Sequence, residues 1–219
     1  MNSSLKGSKG TAILKIALSF FCFLLIWSAY VITSNRYGKI HFIQDLLSLG
    51  DCIWIVSGAF LVWKNRSALH IRPLTMFTSI PQARFWLIPA ALIAAYYLAA
   101  MIYTYGGVMP RPEEPVLWLI IMFSLVAFQE ELLFRGYFFN HLASCMPEPK
   151  ANLLSALFFL LIHFPGWIDH GTSATAILNT SLGIYFLGLF FGWSFRKSRS
   201  LWVPIFLHLL WDVGSRIVF

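Results

Sequence analysis

Long apolar runs, separated by short polar breaks, occupy nearly the whole chain. They cover roughly 12–33, 42–63, 85–105, 115–143, 151–168, 174–195 and 200–218. About 20 apolar residues are needed to cross about 30 Å of hydrocarbon as a helix, so each run reads as a membrane span. Backbone polar groups in lipid must be satisfied within the segment itself, which makes each span helical. The pattern therefore predicts an all-α membrane protein, a bundle of about seven transmembrane helices enclosing an intramembrane polar cavity. The second run is the least regular, because Asp45 and Asp51 fall inside it. The polar start, MNSSLKGSKG, is expected to be a disordered cap over 1–11. Lys6 and Lys9 ahead of the first run and Lys15 at its start resemble a signal peptide, but the length of the run and the six runs behind it predict a retained helix.

Composition supports the membrane reading. The chain is 58% hydrophobic and 11% charged, with a mean hydropathy of +0.72, whereas soluble domains carry about 25% charged residues. The net charge of +7 does not point to nucleic acid, because the basic residues sit in short loops where they set topology. With the N-terminus in the cytoplasm, the inside segments hold Lys6, Lys9, Lys15, Lys64, Arg66, Arg72, Arg84, Lys150, Arg196, Lys197 and Arg199. The outside segments hold only Arg36, Lys39, Arg111 and Arg216. That asymmetry predicts seven crossings of the cell membrane, N-terminus in and C-terminus out, in a style more prokaryotic than eukaryotic. Cys22, Cys52 and Cys145 are too scattered for a disulfide framework or a zinc finger and are expected to be free, buried thiols.

Against this background the charged groups inside the spans stand out. A charge at the bilayer centre costs about 2.5–3.5 kcal/mol on insertion scales, so such groups face a protein interior or a wet cavity. The fourth span carries Glu130, Glu131 and Arg135. Glu131 and Arg135 are four apart and can pair on one helix face. Glu130 lies about 100° round the helix and is left without that partner, which makes it the better general base or acid. The fifth span places Phe159 and His163 on one face, ahead of Pro165 and Gly166, which end or bend the helix. The seventh carries His208 and Asp212, again four apart, so the carboxylate can orient the imidazole, or the pair can ligate zinc or iron. Glu130 and His208 lie at the midpoints of their spans, and His163 about 6 Å beyond its own. Three polar clusters at one depth read as a single site. Trp167, Asp169 and His170 follow at its outer mouth, and Asn140 and His141 fall at the cytoplasmic end of the fourth span.

The ordered set Glu130-Glu131-xxx-Arg135, Phe159-xxx-His163 and His208-xxx-Asp212 resembles the motifs of the CPBP family of intramembrane proteases. That family is also called Abi or CAAX-protease-like, and it includes the type II CAAX prenyl endopeptidases. The resemblance covers about 115–215. It implies a catalytic core of four helices over 106–219, with 12–105 supplying three generic N-terminal spans. By resemblance, Glu130 and His163 activate a water, His208 and Asp212 assist the oxyanion, and Glu131, Arg135 and Phe159 shape the site. Members often carry Asn where this chain has Asp212; an aspartate donates a hydrogen bond only when protonated, so orienting His208 or binding a metal suits it better. The family has been described both as glutamic and as metal-dependent. No resident cofactor is assigned; a divalent metal such as zinc would fall to Glu130, His163 and His208, with Asp212 beside them. The partners implied are the lipid bilayer and a membrane-embedded or membrane-associated protein or peptide substrate, with no nucleic acid. Two other readings stay open: a proton- or ion-coupled transporter using the Glu/His/Asp set as a relay, and a non-catalytic immunity or adaptor protein on the same scaffold.

Overall fold

The computed structural model describes residues 2–43, 47–108 and 114–219; Asp45 and Arg111 lie outside these residues. The elements run α1 (Asn2–Tyr37), a two-stranded antiparallel ribbon of β1 (His41–Ile43) and β2 (Leu47–Ser48), α2 (Leu49–Lys64), α3 (Pro73–Thr78) and α4 (Arg84–Tyr105). They continue with α5 (Val116–Glu131), a π-helical stretch (Leu132–Phe139), α6 (Asn140–Cys145), α7 (Glu148–Leu161), α8 (Phe164–Asp169), α9 (Ala174–Ser198) and α10 (Trp202–Val218). The chain is an all-α membrane protein apart from the small ribbon.

Among the described residues five helical stretches are long and apolar enough to cross a bilayer: Lys9–Tyr37, Arg84–Tyr105, Val116–Cys145, Glu148–Asp169 and Ala174–Ser198. The second and seventh expected spans form shorter helices, α2 with 16 residues and α10 with 17. At 1.5 Å per residue they reach only about 24–26 Å. α2 starts late because Ser48 and Asp51 form a capping box. The Ser48 hydroxyl accepts from the Asp51 amide, and the Asp51 carboxylate accepts from the Ser48 amide at 2.8 Å. Asp51 thus belongs to a first turn, where a carboxylate is favoured, and not to the middle of a span. At the other end of the chain the expected disordered cap over 1–11 is instead helical from Asn2. Once the span has nucleated the helix, each further residue adds a hydrogen bond, and no proline interrupts the extension.

The fifth span is broken where its proline requires. Pro165 has no N–H to donate to the carbonyl of Leu161, four residues back, and its ring crowds that carbonyl. α7 ends at Leu161, and α8 starts again at Phe164 with Pro165 in its first turn. His163 sits at the break.

α10 packs against α4, α5 and α9, while α2 packs against the π-helical stretch. Tyr97 Oη donates to Trp211 O at 2.8 Å and Tyr105 Oη to Val218 O at 2.7 Å, tying α4 to α10. An aromatic core joins α1 to the centre: Phe20 stacks on Phe158 with centroids 4.0 Å apart, and Trp54 meets Phe23, Trp27 and Phe134. α7 and α9 approach closely at Gly188, where a Cβ would lie 3.1 Å from the Ala156 backbone. Leu25, Leu92, Leu117 and Leu178 remain exposed on outer faces, as lipid-facing side chains do. All three cysteines are free, but Cys22 is exposed and the other two are half-buried. Cys22 is less enclosed than expected because it lies on the lipid-facing side of α1, beside the exposed Phe21.

Candidate active site

Glu130 and Glu131 end α5 at the point where the helix passes into its π-helical stretch. Such stretches are rare and frequently mark functional sites. Glu131 turns inward and is completely buried. Its Oε1 accepts from Arg135 Nη1 at 2.8 Å and faces His208 Nδ1 at 3.0 Å. Arg135 Nη2 donates to the Gly188 carbonyl of α9 at 2.8 Å. The guanidinium lies over the rings of Phe159 and Phe191, 4.7 and 5.5 Å from their centroids. One carboxylate oxygen therefore joins the helix of Arg135 to α10, and Arg135 carries the connection to α9. Burying two such charges is tolerated only when they are paired and hydrogen-bonded; here the pairing is dense.

His208 is held on every side. Nδ1 meets Glu131, and Nε2 lies 3.4 Å from Asp212 Oδ2 and 4.0 Å from Glu130 Oε2. Phe191 stacks on the ring at 4.7 Å and 23°. Acceptors at both nitrogens are the arrangement that a doubly protonated imidazole satisfies.

Glu130 has different surroundings. Its side chain keeps 14% exposure, against 0% for Glu131, and that remainder faces a cavity of about 450 Å³. His163, Trp27, Trp167 and His170 line the same cavity. His163 Nδ1 lies 2.9 Å from the Phe159 carbonyl. A carbonyl only accepts, so Nδ1 carries the proton, and a neutral His163 keeps its lone pair at Nε2. A second cavity of about 410 Å³, lined by Asn35, Asp51, Gln129 and again Glu130, shares Trp27, Gly166 and His170 with the first. The two meet at Glu130 and lie toward the C-terminal end of α1.

Glu130, Glu131, Arg135, Phe159, His208 and Asp212 thus form one contact network. His163 joins it through the Phe159 ring, with centroids 5.3 Å apart, and through the shared cavity. Trp167 and His170 reach the cavity wall, whereas Asp169 turns away and accepts from Asn35 at 2.7 Å. Asn140, at the end of the fourth span, is wholly buried: its amide bonds both the N–H and the C=O of Ile71 at 2.6 and 2.8 Å, pinning the loop after α2.

Among the described residues no three His, Cys, Asp or Glu side chains are placed to hold one ion, and His208 already has a carboxylate at each nitrogen. Sequence reasoning also missed several participants. The contact between Glu131 and His208 joins residues 77 apart and leaves no local trace. Phe191 is one of 21 phenylalanines and carries no distinguishing signal. Gln129 was legible as a polar residue beside the glutamates; its Nε2 donates to Asp51 at 3.1 Å.

A helical bundle with the composition of a lipid-embedded protein, built around paired carboxylates and two histidines at an internal cavity, has the make-up of an intramembrane protease. Residues 112–214, which contain every one of these motif residues, match the model for the type II CAAX prenyl endopeptidase Rce1-like family. CAAX prenyl protease 2 of Methanococcus maripaludis is 32% identical over 231 aligned positions, covering 91% of this chain and 82% of the relative. The chain belongs to this CAAX protease family of membrane proteins.

Proposed function

We propose that the protein is an endopeptidase that hydrolyses a peptide bond of a membrane-associated protein, using a water activated between Glu130 and His163. The observation that carries this reading is that Glu130 alone of the cluster's carboxylates lines a cavity together with His163. Peptide hydrolysis needs a base for water, an acid for the leaving amine and a donor for the oxyanion. Glu130 takes the water's proton and returns it to the amine. His163 holds the water through Nε2. His208, fixed through Nδ1 by Glu131, turns its Nε2–H from the looser 3.4 Å contact with Asp212 to the developing oxyanion. Arg135 keeps Glu131 in place and touches no reacting atom. Each of these steps uses groups of the chain itself, so cleavage is expected to survive a strong chelator.

The same proposal includes topology. With seven crossings and the N-terminus in the cytoplasm, the cavities around Glu130 open at the outer face, because they lie toward the C-terminal end of α1 and the start of α2. A thiol-specific, membrane-impermeant reagent applied to intact cells should label Asn35→Cys and leave Lys64→Cys unlabelled; the reverse pattern means that the mouth faces the cytoplasm.

The test of activity is cleavage, by purified protein, of a peptide ending in a CAAX sequence, with and without a farnesyl group, since the Methanococcus maripaludis relative is named a CAAX prenyl protease. Wild type should cleave at least one of the two, and Glu130→Gln and His163→Ala should cleave it at least about a hundredfold more slowly. Equal rates in wild type and both variants would remove the protease mechanism proposed here.

A further inference from the structure

At the opposite end of α1 and α2 from the catalytic cavities lies another cavity, of about 630 Å³. Thr11, Lys15 and Ser19 of α1 face Lys64 and Asn65 at the end of α2, and Tyr137 and His141 close the third side. No residue of the catalytic network lines it. Its polar groups are those that bind a phosphate: two ammonium groups, an amide, hydroxyls and an imidazole. Among the described residues neither Lys15 nor Lys64 has a carboxylate partner. Lys64 instead lies over the Phe60 ring at 5.4 Å.

A second observation is independent of the lysines. His141 is only 7% exposed, and its Nδ1 is buried without a hydrogen-bond partner. A buried N–H donor left unpaired is costly. His141 also lines the cavity, and the tautomer with Nδ1 bare carries its N–H on Nε2, able to donate to an anion. The apolar surroundings distinguish a lipid from a free anion. Ala12, Leu18 and Leu61 complete the lining, and Leu14, Leu18 and Phe21 of α1, with Phe60 under Lys64 on α2, are exposed at 50–59%. An anionic head among Lys15, Lys64 and His141 would leave its acyl chains along these side chains.

We propose that this cavity is a binding site for the phosphate of an anionic phospholipid, at the lysine-rich end of the bundle. Basic groups at a membrane surface attract anionic lipid with about 1 kcal/mol each, and such a site seats the bundle by the face opposite its catalytic mouth.

The experiment is native mass spectrometry of the full chain in mild detergent, with phosphatidylglycerol, phosphatidylcholine or inorganic phosphate added. Wild type should retain one phosphatidylglycerol in preference to phosphatidylcholine. Lys15→Gln and Lys64→Gln should each weaken retention about fivefold, and Lys64→Arg should restore it. Lys39→Gln removes the same charge at the other end and should leave retention unchanged. A melting temperature without lipid equal to that of wild type shows that the variants fold. Equal retention of the two lipids, or an equal loss in Lys39→Gln, overturns the site. Competition by millimolar inorganic phosphate that strips the lipid completely overturns the lipid assignment in favour of a small-anion site.

Discussion

His208 and His163 serve one site from opposite surroundings. His208 lies in the interior, with carboxylates at both nitrogens and Phe191 stacked on its face. His163 stands at a helix break, with one nitrogen fixed by the Phe159 carbonyl and its ring on a cavity wall. The first arrangement holds a proton and a position; the second presents a lone pair. The glutamates divide in the same way. Glu131 is locked between Arg135 and His208, and Glu130 keeps the remaining access to the cavity. A membrane protein can carry so much buried charge because the locked half pairs one oxygen of Glu131 with both Arg135 and His208, while the open half is confined to one wall.

The comparison can be broken where its two halves should respond differently. Glu130→Gln keeps the shape of the open half and removes its base, so the cleavage rate should fall about 10³-fold, within the range for general acid–base catalysis, with the melting temperature unchanged. Arg135→Ala strikes the locked half. It leaves Glu131 with only His208 and should cost about 3–5 kcal/mol, seen as a large drop in melting temperature. The double variant Arg135→Met with Glu131→Gln should lose less than the sum of its singles, because both charges leave together.

The histidines give a second contrast. His208→Gln should lower both stability and activity, whereas His163→Ala should lower activity about 10²-fold with thermal unfolding close to wild type. If both variants melt alike, the division into locked and open halves fails. Asp212→Asn keeps an acceptor one turn from His208 and should reduce the cleavage rate by less than about tenfold, since only the charge is lost. The smallest effect is expected at Gly188. A methyl group there meets the Ala156 backbone at 3.1 Å, so α7 and α9 must separate slightly and shift the carbonyl that receives Arg135. Gly188→Ala should destabilise by about 1–3 kcal/mol and lower activity only a few-fold.

Much of the site was legible because its chemistry is written at helical spacing. Glu131–Arg135 and His208–Asp212 are four residues apart, and each pair meets in the structure. Spacing could not show that Glu131 serves two partners on different helices, since its contact with His208 is a product of packing. Nor did hydropathy reveal where α2 begins. The apolar run extends across the ribbon, and a local exchange of hydrogen bonds between Ser48 and Asp51 decides the start. Asn140 reads as a residue near a span's end, yet its amide is spent on the backbone of Ile71.

The sequence by itself determined that this is a helical membrane protein and which helices carry charge, and it led to the expectation that Glu130, His163 and His208 share one depth. Those properties follow from the cost of polar groups in lipid and from the 3.6-residue turn, both of which act along the chain. The tertiary structure alone decided which carboxylate is locked, which faces the cavity, and that Phe191 and Gly188 help to hold the arginine and the histidine. Those choices depend on the rotation of each helix about its axis and on how closely α7, α9 and α10 approach, and both are set by packing between segments far apart in sequence.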